Sequence, residues 1–149
     1  MLAPGYRLSH DPADLQLEVI HGYLSRSYWS PGIPRHLVAK AIEHSLTVGA
    51  FAPSGAQVGF ARMVTDHVSF GYLSDVFVLE QHRGKGLGHA LTRALLELPE
   101  VRGFRTLLLA TRDAHGLYAD CGFERIEDPA RFMQIRRPGN YPGPAPAGA

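Results

Sequence analysis

The sequence is poor in the features that mark secreted, membrane-spanning and nucleic-acid-binding proteins. It has one cysteine in 149 residues and therefore no internal disulfide. Its formal net charge is only +1 and it has no polybasic block, which argues against broad nucleic-acid binding. It also lacks an apolar run of membrane-spanning length and a basic, then apolar, leader-like segment. We therefore expect a cytoplasmic protein with neither a membrane nor a nucleic-acid partner.

What is present fits one enzyme-sized globular domain. Hydrophobic residues make up 45% and charged residues 19% of the chain, a balance that excludes intrinsic disorder. We expect a single domain over residues 1–138. Residues 139–149 consist almost entirely of Pro, Gly and Ala, so we expect a flexible tail there.

Hydrophobic periodicity predicts an alternation of strands and helices along the domain. One helix is expected to be capped by Asp11, one is opened by Pro34, one runs to Leu98, and a short one over 114–120 is capped by Asp113. Strands are predicted over residues 6–8, 46–52, 57–65, 72–79, 106–110, 123–126 and 132–135.

The most informative segment is the run Gln81-His82-Arg83-Gly84-Lys85-Gly86-Leu87-Gly88, which lies between a predicted strand and a predicted helix. Glycines allow close backbone approach, and the unsatisfied N–H groups and dipole of a helix N-terminus favour an anion. The run therefore predicts a phosphate-binding loop. It does not fit a Walker loop, and no acidic residue follows at the distance that a dinucleotide fingerprint requires.

A second block makes the assignment specific. The loop resembles the Q-x-x-G-x-G pattern of the GNAT superfamily of acetyl-CoA-dependent N-acetyltransferases, and Leu117-Tyr118-Ala119-Asp120-Cys121-Gly122-Phe123 resembles that family's L-Y-x-x-x-G-F. The two blocks occur in the family's order, over about residues 46–124. The resemblance implies an α/β fold with a mixed, mostly antiparallel sheet and helices on both faces. It also implies direct transfer of acetyl from acetyl-CoA to an amine of a small molecule or peptide.

The resemblance further implies which residues hold the cofactor. Backbone amides of the loop, with Arg83 and Lys85, would hold the pyrophosphate, and the main chain of the preceding strand would pair with the pantetheine arm. Thr111 stands where the family often has an Asn, so it offers a hydroxyl in place of an amide. The residues expected to bind the cofactor are Val76, Phe77, Val78, Arg83, Gly84, Lys85, Gly86, Leu87, Gly88, Thr111 and Tyr118.

Tyr118 and Asp75 are the candidate catalytic residues. By resemblance, the Tyr118 phenol would protonate the leaving thiolate; the alternative is an aromatic with a packing role only. Strand periodicity puts Asp75 on one face with Leu73, Phe77 and Leu79, where burial without enough partners would make its carboxylate a stronger base. Asp75 could instead anchor the acceptor or be structural, and family members also deprotonate the amine through water.

The sequence says least about the acceptor. Tyr28, Trp29 and Asp75 are candidate acceptor-binding residues, because aromatic rings and a carboxylate suit a small cationic amine. The histidines lack metal-ligand spacing, so no metal is expected, and Cys121 is expected to pack as a small apolar residue. We expect a monomer or homodimer. Two alternatives remain open, a non-catalytic acyl-CoA sensor and a nucleotide-binding module.

Overall fold

The computed structural model of the protein describes residues 2–137 and Tyr141. Five strands and four α-helices form, in the order β1 Arg7–Ser9, α1 Leu17–Leu24, α2 Arg35–Glu43, β2 Ser45–Phe51, β3 Gln57–Thr65, β4 Phe70–Val78, α3 Leu87–Leu96, β5 Thr106–Leu108 and α4 His115–Asp120. Short 3-10 turns occupy Pro12–Asp14, Glu80–His82, Val101–Gly103 and Pro129–Arg131. The predicted tail, apart from Tyr141, lies outside the described residues.

The strands form one sheet in sequence order, β1-β2-β3-β4-β5. The first four strands pair antiparallel, because tight connections join β2 to β3 and β3 to β4, whereas β5 pairs parallel to β4 after the α3 crossover. The mixed, mostly antiparallel sheet expected from the sequence is thus confirmed.

Helices pack on both faces of this sheet. On one face, the apolar stripe of α3 (Leu87, Leu91, Leu95) packs on strand residues such as Val48 and Met63. On the other face, α1 and α2 supply Ile20, Leu24 and Val38, which pack around Phe60 of β3 and Phe77 of β4. The apolar periodicity of the helices was therefore a sound guide to both cores.

A β-bulge in β4 corrects the expected arrangement of its side chains. Phe60 pairs with Phe77 but Arg62 pairs with Ser74, so two residues of β4 oppose one residue of β3. The extra residue turns the strand over: Leu73 packs in the α3 core, whereas Phe77 packs in the α1–α2 core. The prediction that Leu73, Asp75 and Phe77 share one face is therefore wrong.

Helix starts were only partly predicted. The Asp11 carboxylate does accept from Ala13 N–H with Pro12 at the first position, but this caps a 3-10 turn, and α1 begins only at Leu17. Pro34 lies at the N-cap of α2, as expected. Asp113 does not cap α4; instead, the Thr111 hydroxyl accepts from Ala114 N–H at 3.1 Å.

The two predicted closing strands, 123–126 and 132–135, do not form. In this segment the structure has only the turn Pro129–Arg131, and the residues from 124 to 137 are exposed. β-propensity alone cannot create a strand, because a strand needs a neighbour for its hydrogen bonds. Within the described residues, no helix is both long and apolar enough to cross a membrane.

Candidate active site

A cleft of about 1620 Å³ opens where β4 and β5 separate, and it extends from the start of α3 to the loop between α1 and α2. β4 and β5 pair only between Phe70–Tyr72 and Thr106–Leu108, so the second half of β4 has no neighbour on its β5 side. The bulge accompanies this separation, since bulges bend and twist the strand that carries them. The backbone of Val76–Val78 consequently borders the cleft with an open strand edge.

The phosphate loop (residues 83–88) lies beside this open edge. Gly84 and Gly86 have φ of 78° and 77°, the left-handed region that glycine adopts at little cost, and a Cβ on either would meet nothing within 4 Å. Backbone conformation, rather than crowding, therefore demands glycine here. Gly86 is the N-cap of α3 and supplies no side-chain cap, so the first N–H groups of the helix are available to an anion.

The two basic residues of this loop have different surroundings. The Arg83 guanidinium donates to the Val78 carbonyl at 2.9 Å and to the Tyr23 hydroxyl at 3.1 Å, and it lines the cleft. Lys85 is exposed, and its Nζ lies 6.0 Å from the ring centroid of Tyr6, away from the residues that line the cleft. Of the two, only Arg83 is brought to the cleft wall.

α4 brings Tyr118 to the same cleft. Helices α3 and α4 approach closely, since a Cβ on Gly88 would lie 2.8 Å from Cδ1 of Leu117. Burial, with smaller contributions from Tyr28 and Cys121, raises the pKa of Tyr118 to about 12. Phe123 packs against its ring edge-to-face with centroids 6.1 Å apart. None of the described protein groups hydrogen-bonds its hydroxyl, so the phenol proton is free to be given to a ligand.

Asp75 also lines the cleft, and both of its carboxylate oxygens are engaged. Arg62 Nε donates to Oδ2 at 2.5 Å, and Trp29 Nε1 donates to Oδ1 at 2.8 Å. The Asp75 side chain is 7% exposed and that of Arg62 is 18% exposed. The expectation of a carboxylate short of partners is therefore wrong: Asp75 is buried together with a counter-charge.

Asp75 also adopts an unusual backbone conformation. Its φ of 55° lies in the left-handed region, which non-glycine residues enter rarely and Asp more readily than most. Asp75 is one of the two β4 residues in the bulge, and the bulge directs its side chain toward Arg62 and Trp29. The bulge thus both opens the strand edge and places the carboxylate.

Aromatic rings extend this end of the cleft. Tyr28 packs edge-to-face on Trp29 with centroids 5.0 Å apart, and the guanidinium carbon of Arg112 lies 3.9 Å from the Tyr28 ring centroid. Tyr23 stacks on Phe77 at 4.1 Å. The structure thus brings together Tyr28, Trp29 and Asp75, the three candidate acceptor-binding residues, through the contacts of Trp29; their role in binding an acceptor stays a prediction.

Sequence reasoning did not single out Tyr23, Arg62 or Arg112. A signal for Arg62 was available, because it is the one charged residue in the otherwise apolar stretch Val58–Val64. Arg112 and Tyr28 are far apart in the sequence, and only the fold reveals their contact.

Comparison with known proteins identifies the fold and family. The family model described as an acetyltransferase (GNAT) domain matches residues 34–125, which is more than half of the chain. The chain belongs to the GNAT acetyltransferase family. The matched residues of this GNAT domain include β4, the phosphate loop and α4, three of the elements that line the cleft.

Individual relatives agree with this assignment. A GNAT-family protein of Xanthomonas campestris pv. campestris, known from its crystal structure, is 44% identical, with a TM-score of 0.87 over 91% of this chain and 96% of that chain. A Gibberella zeae protein assigned to the acetyltransferases is 33% identical over 74% of each chain. Glucosamine 6-phosphate N-acetyltransferase 1 of Oryza sativa subsp. japonica is 33% identical over 59% of this chain and 53% of its own length.

Other reactive side chains of the GNAT domain do not form a second centre. Among residues 2–137 and 141, no group of three or more His, Cys, Asp and Glu side chains could hold a metal ion. His82 bonds the Tyr6 hydroxyl and His89 bonds Asp120. Burial raises the pKa of the Cys121 thiol, which disfavours the thiolate that a nucleophilic cysteine would need.

Proposed function

We propose that this protein transfers the acetyl group of acetyl-CoA directly to an amine, with both substrates bound in the cleft at once. One observation carries the proposal: an uncapped helix N-terminus, an open strand edge and an unengaged tyrosine hydroxyl all face the same cleft. The helix N-terminus can bind a phosphate, and the open strand edge can pair with an extended, amide-containing chain. The tyrosine hydroxyl can protonate a leaving group.

The phosphate loop and β4 would hold acetyl-CoA, which supplies the activated acetyl group. The left-handed Gly84 and Gly86 expose backbone N–H groups, while Arg83 adds charge at the cleft wall. The open edge of Val76–Val78 offers backbone hydrogen bonds to the pantetheine amides, which would align the thioester. Lys85 then acts only as a nearby charge, and Thr111 keeps a hydroxyl proton to donate while its oxygen accepts from Ala114.

Tyr118 is proposed as the general acid. A phenol is protonated at physiological pH, and burial, which raises the pKa of Tyr118 to about 12, keeps it so; Tyr118 therefore has a proton to give to the departing sulfur. The packing of the Tyr118 ring on the α3 core and on Phe123 holds this residue in the cleft wall.

For Asp75, the geometry favours a positioning role. Its two oxygens already accept from Arg62 and from the Trp29 indole, so the carboxylate is engaged in holding these two side chains. We therefore propose that Asp75 fixes Trp29 at the acceptor end and that water accepts the proton of the attacking amine. The role of Asp75 as the base itself stays a prediction.

The charge of the cleft suggests the acceptor class. Away from the phosphate loop and its flanking turn, the cleft is lined by four arginines (Arg26, Arg62, Arg112, Arg136) and two aspartates (Asp75, Asp113). Arg62 pairs with Asp75, and Arg112 lies 3.7 Å from Asp113. Among the described residues, Arg26 and Arg136 have no acidic partner, so a positive excess remains. We propose an acceptor that carries a carboxylate or phosphate besides its amine.

Paired acceptors test this proposal directly. Glucosamine 6-phosphate and an amino acid would each be compared with the partner that lacks the anionic group, glucosamine and the amino acid amide. Free-thiol release from acetyl-CoA would be the readout. We expect release that depends on the acceptor, with a lower KM for the anionic member of each pair. Equal KM values within both pairs would exclude the anionic acceptor class while leaving acetyl transfer intact.

The same assay separates the enzyme from a non-catalytic sensor of the same fold. A sensor would bind CoA, which raises the melting temperature by mass action, yet no amine would accelerate thiol release. A nucleotide-binding module would be stabilised by ATP or NAD rather than by CoA. Absence of any CoA-induced shift would overturn the proposed function as a whole.

A further inference from the structure

Four arginine side chains line the cleft away from the phosphate loop, and two of them already have partners. Arg62 donates through Nε to the Asp75 carboxylate and through Nη1 to the Ser45 hydroxyl at 3.2 Å. The guanidinium carbon of Arg112 lies 3.9 Å from the centroid of the Tyr28 ring. These two guanidinium groups therefore serve mainly to hold the wall of the cleft together.

The other two arginines, Arg26 and Arg136, are in a different situation. Both are exposed residues that line the cleft. Their guanidinium groups make no hydrogen bond and no ion pair with another residue of the part of the chain that the structure describes. The two aspartates in this part of the cleft lie beside the arginines that already have partners. Two positive charges are therefore left for a ligand.

The turn after α1 fixes the backbone on which Arg26 stands. The buried Ser27 hydroxyl donates to the Leu24 carbonyl at 2.7 Å and accepts from the Ser30 N–H at 3.0 Å. Trp29 belongs to the same turn and contacts the acceptor end of the cleft through its indole. Arg26 is consequently held at the end of the cleft that is opposite in function to the phosphate loop.

The charge of this arginine pair selects among anionic groups. A guanidinium binds either a carboxylate or a phosphate through parallel N–H donors. A carboxylate carries one negative charge, whereas a phosphate monoester carries nearly two above pH 7, because its second pKa is about 6. The phosphate dianion matches two unpaired guanidinium groups, while a carboxylate would leave one of them without a counter-charge.

We propose that the acceptor is a phosphorylated amine whose phosphate is bound by Arg26 and Arg136. The three terminal oxygens of a phosphate monoester can accept from both guanidinium groups at once. Holding the phosphate at this end would also fix where the amine lies relative to the thioester. The inference rests on the proposed function and deepens it, since it narrows the anionic acceptor class to phosphate monoesters and assigns the residues that recognise them.

Phosphate and sulfate esters of the same amine separate the effect of charge from that of shape. A sulfate ester is also tetrahedral but carries one negative charge. Glucosamine 6-phosphate would be compared with glucosamine 6-sulfate and glucosamine, and O-phosphoethanolamine with ethanolamine O-sulfate and ethanolamine, by thiol release from acetyl-CoA. For an accepted amine, we expect KM to be about tenfold lower for the phosphate than for the sulfate, because one charge-assisted contact is worth about that factor.

Substitution of the two arginines tests which residues cause this preference. Arg26→Met and Arg136→Met should each raise the KM of the phosphorylated amine roughly tenfold and leave the KM of the unmodified amine unchanged. The CoA-induced rise in melting temperature should persist in both. Arg137→Met is the matched control, because Arg137 is the exposed neighbour of Arg136 but does not line the cleft. It should leave every KM as in the wild type.

The outcomes distinguish this inference from the proposed function. A phosphate ester that is used no better than its sulfate would overturn the inference, as would an Arg26→Met, Arg136→Met double variant that keeps the preference for phosphate. Preference for an amino acid over its amide would then leave the anionic acceptor class standing, with a carboxylate in place of the phosphate. If no amine accelerates thiol release at all, the proposed function fails and the inference fails with it.

Discussion

The two ends of the cleft are built in different ways. At the phosphate loop the site consists of backbone: two left-handed glycines and an uncapped helix start, with only Arg83 adding a side chain at the wall. At the acceptor end the site consists of interlocked side chains, in which Asp75 holds Arg62 and Trp29, and Tyr28 packs between Trp29 and Arg112. In a site formed by the backbone, most substitutions leave the binding groups in place, except substitution of a glycine. In a network of side chains, a substitution also removes a contact from each neighbouring side chain.

The largest effect is expected at the backbone-built end. Gly86→Asp introduces a negative charge beside the helix start that would hold phosphate, so binding of CoA should be lost. We expect the CoA-induced rise in melting temperature to disappear, together with turnover. Thermal shift with and without CoA measures the first of these effects.

Gly55→Asp is the control for backbone strain. Gly55 also has a left-handed φ, 91°, and open space around its Cα, but it lies in the β2–β3 hairpin away from the cleft. It should lower stability to a similar extent and leave the CoA-induced shift unchanged. A folded Gly86→Asp protein that still responds to CoA would contradict the phosphate-loop assignment.

Tyr118→Phe should have the next largest effect. It removes only the hydroxyl, so folding and the CoA-induced shift should persist, while kcat falls roughly 10²- to 10⁴-fold if protonation of the leaving group limits the rate. Steady-state kinetics with a saturating acceptor measures the change. If kcat stays within about twofold of wild type while chemistry limits the rate, the general-acid role must be abandoned.

The raised pKa of Tyr118 makes a separate prediction about pH. The pKa of the Tyr118 phenol rises from 10.0 to about 12. Tyr118 therefore stays protonated, and able to act as an acid, to a higher pH than an ordinary tyrosine. The rate should therefore show no alkaline decline attributable to Tyr118 below about pH 10. A decline near neutral pH that vanishes in Tyr118→Phe would show that the phenol titrates much lower.

Asp75→Asn probes the side-chain network and should affect stability first. The variant leaves the 18%-exposed Arg62 without its counter-charge, and a hydrogen bond to a charged group contributes about 1.5–3 kcal/mol of unfolding free energy. We expect a lower melting temperature, a higher acceptor KM and a pH–rate profile whose ascending limb survives. Loss of that limb would instead identify Asp75 as the base.

Asp113→Asn is the matched control for this variant. Its carboxylate also lines the cleft, but it is 70% exposed and lies 3.7 Å from Arg112. The change should alter unfolding free energy by no more than about 0.5 kcal/mol. If both variants lost the same stability, the Asp75–Arg62 pair would have no special structural role.

The smallest effect is expected for Arg112→Met, which keeps an unbranched, flexible side chain but shortens it and removes its charge and its contact with the Tyr28 ring. An exposed cation–π contact is worth about 0.5–1 kcal/mol, so acceptor KM should rise a few-fold with kcat unchanged. The rise should be larger for the anionic member of each acceptor pair. An equal rise for charged and uncharged acceptors would indicate loss of packing alone.

The contrast between the two ends also explains how much could be predicted from sequence. The glycine loop over residues 83–88 could be recognised from the sequence because Gly84 and Gly86 act through local backbone geometry, which a short motif records; that this loop binds phosphate stays a prediction. β3 was predicted to the residue, and α3 within two residues at its end, since apolar periodicity determines both.

What escaped prediction depends on contacts between distant segments. The bulge at Asp75 changes the face of the sheet on which the side chains of β4 lie, and no local sequence pattern predicts it. The partners of Asp75 come from β3 and from the loop after α1. The predicted strands over 123–126 and 132–135 failed for a related reason, because propensity does not say whether a neighbouring strand is there.

The close approach of Gly88 to Leu117 has a consequence for how this enzyme could be re-engineered. A Cβ at position 88 would lie 2.8 Å from Cδ1 of Leu117, so the side chain of Leu117, the neighbour of Tyr118, would have to move. Under the proposed roles, a change at the start of α3 would therefore disturb the residue beside the proposed general acid. Directed evolution toward bulkier acyl donors should accordingly leave position 88 as glycine and accumulate its changes in the opposite wall of the cleft, along β4 and the loop that carries Trp29.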